Sequence, residues 1–343
     1  MKRVIGLLVL SFALLSCRTR DPRHDLLKRA LAALGGADNL AAIKSTEIKG
    51  TVRNWEPEQS LVADGEARLV CDSTFDTLTD HGTGATRIDW VRNFAYPQPR
   101  TYTFTEIVTH DAGYVEGVDS TARTKQDLEA KSPAHVMSGL RLAAAQRELL
   151  RMSPLLLLEM ETNIDRVSTA PDLSIAGIAY PVLDYKSGEQ AFSVLFDPGT
   201  GLPARIRTLD YDNVWGDVTF DLVFSDWRTF DKIRVAGNRK YELNGRMVAE
   251  YKITDLKLNA PTPAERVSIP STMTAAAVRP ATGALPYQWV LRRQFMGVYL
   301  DSDQPSFDMR AGAGLHLVEL APGVQQIVGG SHNGLAVEMK DHW

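Results

Sequence analysis

The sequence predicts a mainly β protein of the α+β class, built on a large curved antiparallel sheet, or half-barrel, with a few covering helices. Two observations predict it. Apolar and polar residues alternate with period 2 through most of the stretch 46–258, and turn signals such as Asn244-Gly245 separate the alternating segments. Helical periodicity is confined to regions near 25–34 and 140–160. A sheet of the roughly ten or eleven strands expected here should curl over its helices.

The first residues have the pattern of a secretory signal peptide. Met1-Lys2-Arg3 is positively charged, and residues 4–15 form an apolar run that is too short for a stable membrane anchor. Leu14-Leu15-Ser16-Cys17 resembles the lipobox of bacterial lipoproteins, which implies cleavage before Cys17 and lipidation of that residue. We therefore predict a lipoprotein signal peptide over residues 1–17 and a tether over 18–24. The alternative is an ordinary signal peptide with an incidental cysteine.

The residue after the cysteine predicts a location. Arg18, and not an aspartate, follows Cys17, so a signal for retention in the inner membrane is absent. We expect a periplasm-facing, outer-membrane lipoprotein in the cell envelope of a Gram-negative bacterium. Its partner would be the membrane itself, because several acyl chains anchor a protein that one chain holds only marginally.

Residues 25–270 are predicted to form one sheet domain. Leucines and alanines recur at helical spacing over 25–34, Gly35-Gly36 end this helix, and a short helical turn precedes a strand that starts near Thr46. This order, and the turn Asp-Pro-Gly-Thr-Gly-Leu-Pro at 197–203, resemble the sheet domains of lipoprotein-carrier and outer-membrane lipoprotein-sorting proteins. The resemblance implies that the sheet binds a lipid or the acyl chain of a lipoprotein.

The helical region near 140–160 contains the candidate binding residues. Residues 140–152 place apolar and charged side chains on different sides of a helix, which Ser153-Pro154 end. The most apolar run outside the signal peptide follows; it consists of Leu155, Leu156, Leu157 and Leu158. This run either plugs the open face of the curved sheet or lines an apolar cavity that receives an acyl chain.

Composition excludes several classes of protein. The formal net charge is -4 and the basic residues are scattered, so there is no electrostatic case for a nucleic-acid partner. The two cysteines, Cys17 and Cys71, are too few for a disulfide scaffold or a cysteine-rich zinc site, and Cys71 is expected in the core.

No motif for catalysis emerges from the sequence. No two histidines have metal-binding spacing, and no nucleophile elbow, phosphate loop or dinucleotide fingerprint occurs. Asp80-His81 and His110-Asp111 could supply metal ligands in principle, but their turn-like contexts favour solvated side chains. We therefore predict no catalytic, cofactor-binding or metal-ligating residue in this chain.

The C-terminal part is predicted to be a linker, 271–312, followed by the first strands of another domain, 313–343. Two short strands flank a Pro322-Gly323 turn, and Ser331-His332-Asn333 precede a third strand. This stretch resembles the opening hairpin of metallo-β-lactamase-fold hydrolases, as an incomplete start of an αββα domain. In that family the zinc motif His-x-His-x-Asp-His follows, and this sequence does not contain it.

The resemblances give two functional hypotheses. The first is the membrane-anchored N-terminal domain of a zinc-dependent metallo-β-lactamase-fold hydrolase lipoprotein, truncated before the zinc motif and itself inactive. Zinc is then expected only in a full-length relative. The alternative is a lipid- or lipoprotein-binding, carrier-like module, and a remnant without function is a third reading.

Overall fold

The computed structural model describes residues 21–62, 65–119, 134–188, 190–212, 215–274, 287–292, 316–328 and 334–341. The predicted signal peptide, the lipidation site Cys17 and the first residues of the tether lie outside these ranges. No helix in the described ranges is long and apolar enough to cross a bilayer.

A 13-stranded antiparallel sheet dominates the fold. Its strands are β1 (Ser45–Glu56), β2 (Arg68–Asp80), β3 (Thr86–Phe94), β4 (Arg100–Val108), β5 (Gly113–Val118), β6 (Ala134–Val136), β7 (Val167–Ile175), β8 (Ile178–Ser187), β9 (Gln190–Phe196), β10 (Pro203–Asp212), β11 (Gly216–Phe230), β12 (Ile233–Leu243) and β13 (Arg246–Leu258). The sheet is larger than predicted, in part because β6 and β7 have too few alternating apolar residues to be recognised.

The order of the strands shows how the chain builds this sheet. From β1 the chain moves outward strand by strand to β6 at one edge, crosses to β7 at the opposite edge, and returns inward to β13. There β13 pairs with β1, so the first and last strands lie at the centre. The edge strands do not pair with each other, and the sheet is not closed into a barrel. This confirms the predicted fold class of a large antiparallel sheet with a few helices.

Short helices accompany the sheet in the described part of the chain. They are α1 (Pro22–Leu34), α2 (Ala37–Ala41), α3 (Gly139–Met152), α4 (Leu156–Thr162), α5 (Ala264–Val267), α6 (Ser271–Thr274) and α7 (Tyr287–Arg292). Helices α3 and α4 occupy the crossing from β6 to β7, where the sequence predicted helix. Helix α1 begins three residues earlier than predicted, because the Asp21 side chain caps it by accepting from the Arg23 backbone N–H at 2.9 Å.

The core consists of two main clusters on the inner face of the sheet. One packs α1, α2 and α4 against strands that include β8, β9 and β12, and Leu31, Met160 and Phe192 belong to it. The other surrounds the stacked rings of Phe220 and Tyr241, whose centroids lie 5.1 Å apart. Several side chains, including Phe75 and Phe224, pack against both clusters. Cys71 is buried in a smaller cluster, as predicted, and burial raises the pKa of its thiol.

The C-terminal stretch forms a separate three-stranded antiparallel sheet. Its strands are β14 (His316–Ala321), β15 (Val324–Val328) and β16 (Gly334–Val337), in that order across the sheet. Gly323 has φ +74° in the turn between β14 and β15, a conformation that favours glycine. Every residue of β14 is exposed. The three strands predicted from alternation are therefore present.

The predicted linker, 271–312, includes a helix that is attached to the large sheet. Gln288 and Arg292 of α7 are buried. The Arg292 guanidinium forms ion pairs with Glu56, at the end of β1, and with Asp212, whose Oδ2 lies 2.6 Å from Nη2. At this point the segment is held against the sheet, and the composition of the surrounding residues gave no sign of it.

Candidate functional site

The inner faces of β1, β2 and β3 change from polar to aromatic along the strands. Because alternate residues of a strand point to the same face, paired residues form rows about 7 Å apart. The register gives these rows: Thr46, Thr79 and Thr86; then Ile48, Thr77 and Ile88; then Gly50, Phe75 and Trp90. We call the first the threonine row and the third the aromatic row.

Helix α3 and these rows enclose a cavity of about 1190 Å³. Its apolar wall includes Ile48, Phe75, Trp90 and Ile253 from the sheet and Leu142 and Leu149 from α3. The volume lies above the range of about 300–1,000 Å³ that is usual for small-molecule sites. The cavity is therefore large enough for a bulky apolar ligand.

A glycine on β1 makes room for the aromatic row. A Cβ on Gly50 would lie 2.7 Å from Cζ of Phe75 and 2.3 Å from the Lys252 carbonyl oxygen. The Phe75 ring can cross β1 only because residue 50 has no side chain. From there it contacts the rings of Trp90 and Tyr251, with centroids 5.8 and 5.7 Å away.

Buried ion pairs hold α3 to the sheet. Arg147 donates two hydrogen bonds to the Asp210 carboxylate of β10, at 2.6 and 2.8 Å. Arg141 donates to Asp119 at 2.8 Å and to Glu106 of β4 at 2.7 Å. Long charged side chains therefore fix α3 to the sheet beside the cavity, and Arg147 also lines it.

Two further groups complete this network. Arg151 donates to the backbone oxygens of Ile206 and Phe220, at 2.8 and 2.9 Å, and pairs with Glu148. Burial alone would raise the pKa of Glu148, but the charges of Arg151 and Arg147 outweigh it and lower that pKa. Glu148 is therefore ionised at neutral pH, as buried carboxylates are when they are paired.

The cavity opens to solvent where turns of the sheet meet the helix. The exposed residues of its lining are Thr83, Gly84, His110, Asp111 and Gly188, from turns after β2, β4 and β8. We call this region the mouth. Gln146 of α3 fixes one of these turns, since its side chain donates to the Thr109 and His110 carbonyl oxygens at 2.8 Å each.

Hydroxyl groups and an uncharged imidazole line the cavity where the threonine row meets the mouth. The threonine row begins there, and Thr79 and Thr86 share a hydrogen bond of 3.1 Å between their hydroxyls. The ring Nε2 of His81 lies 3.3 Å from the Thr46 hydroxyl. Burial lowers the pKa of His81, so its ring is neutral at pH 7.

Arg239 lies at the end of the cavity lining away from the threonine row. It occupies the inner face of β12, opposite Tyr251 of β13, and is 6% exposed. Its Nη1 donates to the Met152 carbonyl oxygen at the end of α3, at 3.3 Å, and its Nε has no acceptor. Burial lowers the pKa of this guanidinium to about 10. No carboxylate of the described residues pairs with it.

The structure places the predicted leucine run in the core and not in the wall of this cavity. Leu156 and Leu157 are 3% and 2% exposed and belong to the cluster with α1, and Leu155 and Leu158 pack against that cluster. Leu156 and Leu157 line a separate crevice of about 40 Å³. Their position follows from α4, which turns them toward α1 while α3 covers the cavity.

The histidine pairs considered from sequence do not form a metal site. The side chains of His110 and Asp111 are 92% and 90% exposed, and His81 contacts a threonine hydroxyl. No cluster of three or more histidine, cysteine, aspartate or glutamate side chains suited to a metal occurs among the described residues. His332 lies outside those residues.

Comparisons with known proteins add only structural likenesses. No family model and no curated protein matches the chain. Among solved structures, the chain is similar to a LolA superfamily protein from Nitrosomonas europaea, with 11% identity and a TM-score of 0.40 over 72% of this chain and 97% of that one. It is also similar to an uncharacterized conserved protein from Thermus thermophilus, with 8% identity and a TM-score of 0.23 over 74% and 97%.

At TM-scores of 0.40 and 0.23 these likenesses carry no argument for either resemblance stated from sequence. Nothing found supports a metallo-β-lactamase fold for residues 313–343 or a truncation. At these identities and TM-scores neither neighbour informs the function, which must be argued from the cavity.

Sequence reasoning missed Arg239 although a signal for it existed. Arg239 precedes Tyr241 and Leu243 by two and four residues in the same strand, so its side chain points to the same buried face as theirs. A charged residue at an inward position of an alternating strand is unusual, and this position in the pattern could have identified Arg239. Its lack of a partner depends on contacts between distant strands and could not be predicted.

Proposed function

We propose that the chain is a lipid- or lipoprotein-binding, carrier-like module that holds an acyl chain between the sheet and α3. The observation that carries this proposal is the cavity of about 1190 Å³, with aliphatic and aromatic walls and an opening at the mouth. An apolar chain that enters it leaves water, and each buried methylene stabilises the complex by about 0.8 kcal/mol.

The dimensions of the lining suit an acyl chain. Thr46 and Arg239 both line the cavity, and their register rows are six residue steps apart along β1, which corresponds to roughly 20 Å along an extended strand. One acyl chain of a membrane lipid spans half of a hydrocarbon core of about 30 Å, or about 15 Å. The lining is therefore long enough for a single acyl chain to lie along the strands beneath α3.

The hydrolase hypothesis receives less support than this alternative. It depends on residues 313–343, whose three strands form a small sheet without a metal-binding cluster in its described part. The cavity, in contrast, lies entirely within the sheet domain. A relation to metallo-β-lactamase-fold hydrolases remains a prediction of the sequence.

We further propose that the protein is anchored in the outer membrane of a Gram-negative cell by lipid on Cys17. The support is the lipobox-like Leu14-Leu15-Ser16-Cys17 after an apolar run, with Arg18 behind it. Mass spectrometry of the membrane fraction should find acyl mass on Cys17, and Cys17→Ala should release the protein. A membrane-bound protein with an unmodified Cys17 would contradict this assignment.

Native mass spectrometry of the gently purified protein tests the binding function. We expect a population that carries a lipid-sized mass, which collisional activation removes, and which reappears when a delipidated sample is incubated with fatty acid. A protein that carries no lipid and acquires none under these conditions would refute the proposal.

A further inference from the structure

We infer that Arg239 binds the acid group of the ligand, so that the cavity selects an amphiphile that carries an oxyanion, a carboxylate or a phosphate monoester, on a single acyl chain. This inference rests on the proposed acyl-chain function and specifies its ligand. The structural observation behind it is a buried guanidinium that lines the cavity without a carboxylate partner.

Arg239 differs from the other buried arginines of the described residues. Most of these pair with carboxylates: Arg141 with Glu106 and Asp119, Arg147 with Asp210, Arg151 with Glu148, and Arg292 with Glu56. Arg92 also lacks a carboxylate, but its guanidinium stacks at 4.0 Å on the Trp90 ring and it does not line the cavity. Arg239 alone combines an unpaired charge with access to the cavity, among the residues that the structure describes.

The guanidinium of Arg239 has donors to spare. Nη1 uses one of its two N–H groups on the Met152 carbonyl oxygen, and Nη2 donates to no acceptor among the described residues. Nε is fully buried without an acceptor, so the donors left for a ligand are those of the two Nη atoms. A guanidinium presents a planar fork that fits the two oxygens of a carboxylate or phosphate. The chain thus supplies half of a bidentate pair, and a bound oxyanion would complete it.

A buried charge without a counter-charge is unfavourable, because desolvation is not offset by attraction. The single bond to the end of α3 compensates little of this cost, since a water molecule could donate to the Met152 carbonyl oxygen equally well. Unsatisfied buried groups of this kind call for a specific explanation. A ligand that brings the counter-charge provides one.

The position of Arg239 also sets the orientation of the ligand. In the register, Val52 of β1 pairs with Tyr251 of β13, which pairs with Arg239 of β12. This row follows the aromatic row and lies three rows from the threonine row, roughly 20 Å along the strands. An acid group on Arg239 places the chain over Phe75 and Ile253, and its tail reaches toward the mouth.

Calorimetric titration of the delipidated full-length protein with matched ligands tests this inference. The ligands are dodecanoate, dodecyl phosphate and dodecanol, each below its aggregation limit at about pH 7.5. We expect the wild type to bind at least one of the two acids about tenfold or more tightly than the alcohol, because hydrogen bonds to a charged group are stronger than those to a neutral one. Arg239→Gln should abolish the preference by weakening the binding of the acids.

Two variants serve as controls. Arg234→Gln makes the same change at an exposed position of the same strand and should keep the preference. Arg239→Lys retains the charge without the fork and should bind the acids with intermediate affinity. If Arg239→Gln fails to fold, as thermal unfolding would reveal, the comparison of acid with alcohol in the wild type and in Arg239→Lys decides the question.

The possible outcomes distinguish a failure of the assigned role of Arg239 from a failure of the proposed acyl-chain binding. If all three ligands bind equally to the wild type, or if Arg239→Gln keeps the acid preference, Arg239 is not the acid site although the cavity still binds chains. If none of the ligands binds, the proposed function itself fails, and the inference fails with it.

Discussion

Arg147 on α3 and Asp210 on β10 form a bidentate ion pair in which both side chains are almost completely buried. The pair connects the covering helix to the sheet beside the cavity. Asp210 also accepts from the Gln288 backbone N–H of α7 at 3.1 Å, so the same carboxylate holds two helices. Charged side chains therefore hold α3 to the sheet beside the cavity, in addition to the apolar contacts of Leu142 and Leu149.

Breaking this pair should destabilise the protein. Arg147→Met leaves the charges of Asp210 and Glu148 buried without this partner, and we expect the free energy of unfolding to fall by about 3–5 kcal/mol. Urea unfolding followed by circular dichroism measures the loss.

Arg53→Met is the matched control, because the Arg53–Asp72 pair is half exposed, at 50% and 57%. Arg53→Met should change the free energy of unfolding by about 1 kcal/mol or less. Equal losses in the two variants would contradict the assigned role of Arg147.

The aromatic row should depend on the absence of a side chain at residue 50. Gly50→Ala places a Cβ against the Phe75 ring and the Lys252 carbonyl oxygen, and we expect it to lower the free energy of unfolding by about 1–3 kcal/mol. Gly199→Ala is the control, since its Cβ would meet only the Asp197 carboxylate at 3.5 Å. Chemical denaturation of both variants checks the prediction, and an unaffected Gly50→Ala protein would show that Phe75 is not held as described.

Stability should decrease in acid partly through Glu148. Its pKa is lower in the folded protein than the ordinary value of 4.5. As the pH falls, Glu148 is therefore protonated in the unfolded chain before it is protonated in the folded protein. The stabilisation that ionised Glu148 provides is fully present above pH 4.5 and is lost as the pH falls through the folded-state pKa. Glu148→Gln removes this titration. Urea midpoints at about pH 7 and about pH 3.5 should differ less for the variant than for the wild type, whereas an identical pH dependence would exclude Glu148 as a source.

A bulky side chain on α3 should block the cavity without unfolding the protein. Ala143 lines the cavity, so Ala143→Trp is expected to weaken fatty-acid binding about tenfold or more by filling the space the chain needs. Calorimetric titration gives the affinity. Ala32→Trp, on an exposed position of α1, should bind as the wild type does. Undiminished binding by Ala143→Trp would place the ligand elsewhere.

Alternation, helical periodicity and turn chemistry were enough to predict most strands of the sheet and the positions of α1, α3 and α4. The strands around Asn244-Gly245 and the break at Ser153-Pro154 follow from local rules that the structure obeys. The pairing of β1 with β13 does not, because it joins segments about as far apart as the domain allows. A sequence pattern shows which residues of a strand face inward, but not which strand lies beside it.

The cavity was harder to predict than the sheet. Leu155–Leu158 was the natural candidate for an apolar wall, yet hydrophobicity alone cannot distinguish a filled core from an open one. Arginines on α3, among them Arg141 and Arg147, help to hold the helix to the sheet, although charged residues of an amphipathic helix usually mark its solvated side. Their carboxylate partners come from strands far away in the chain.

Quenching of Trp90 by a brominated fatty acid tests the central claim most directly. Trp90 lines the cavity at the aromatic row, and its indole N–H donates to Glu106 at 2.8 Å. We predict saturable quenching of the wild-type fluorescence at about one ligand per protein, and a smaller change in Trp90→Phe at acid concentrations where calorimetry shows that variant to be saturated. Quenching that does not saturate, or that is the same without Trp90, would mean that no acyl chain occupies this cavity.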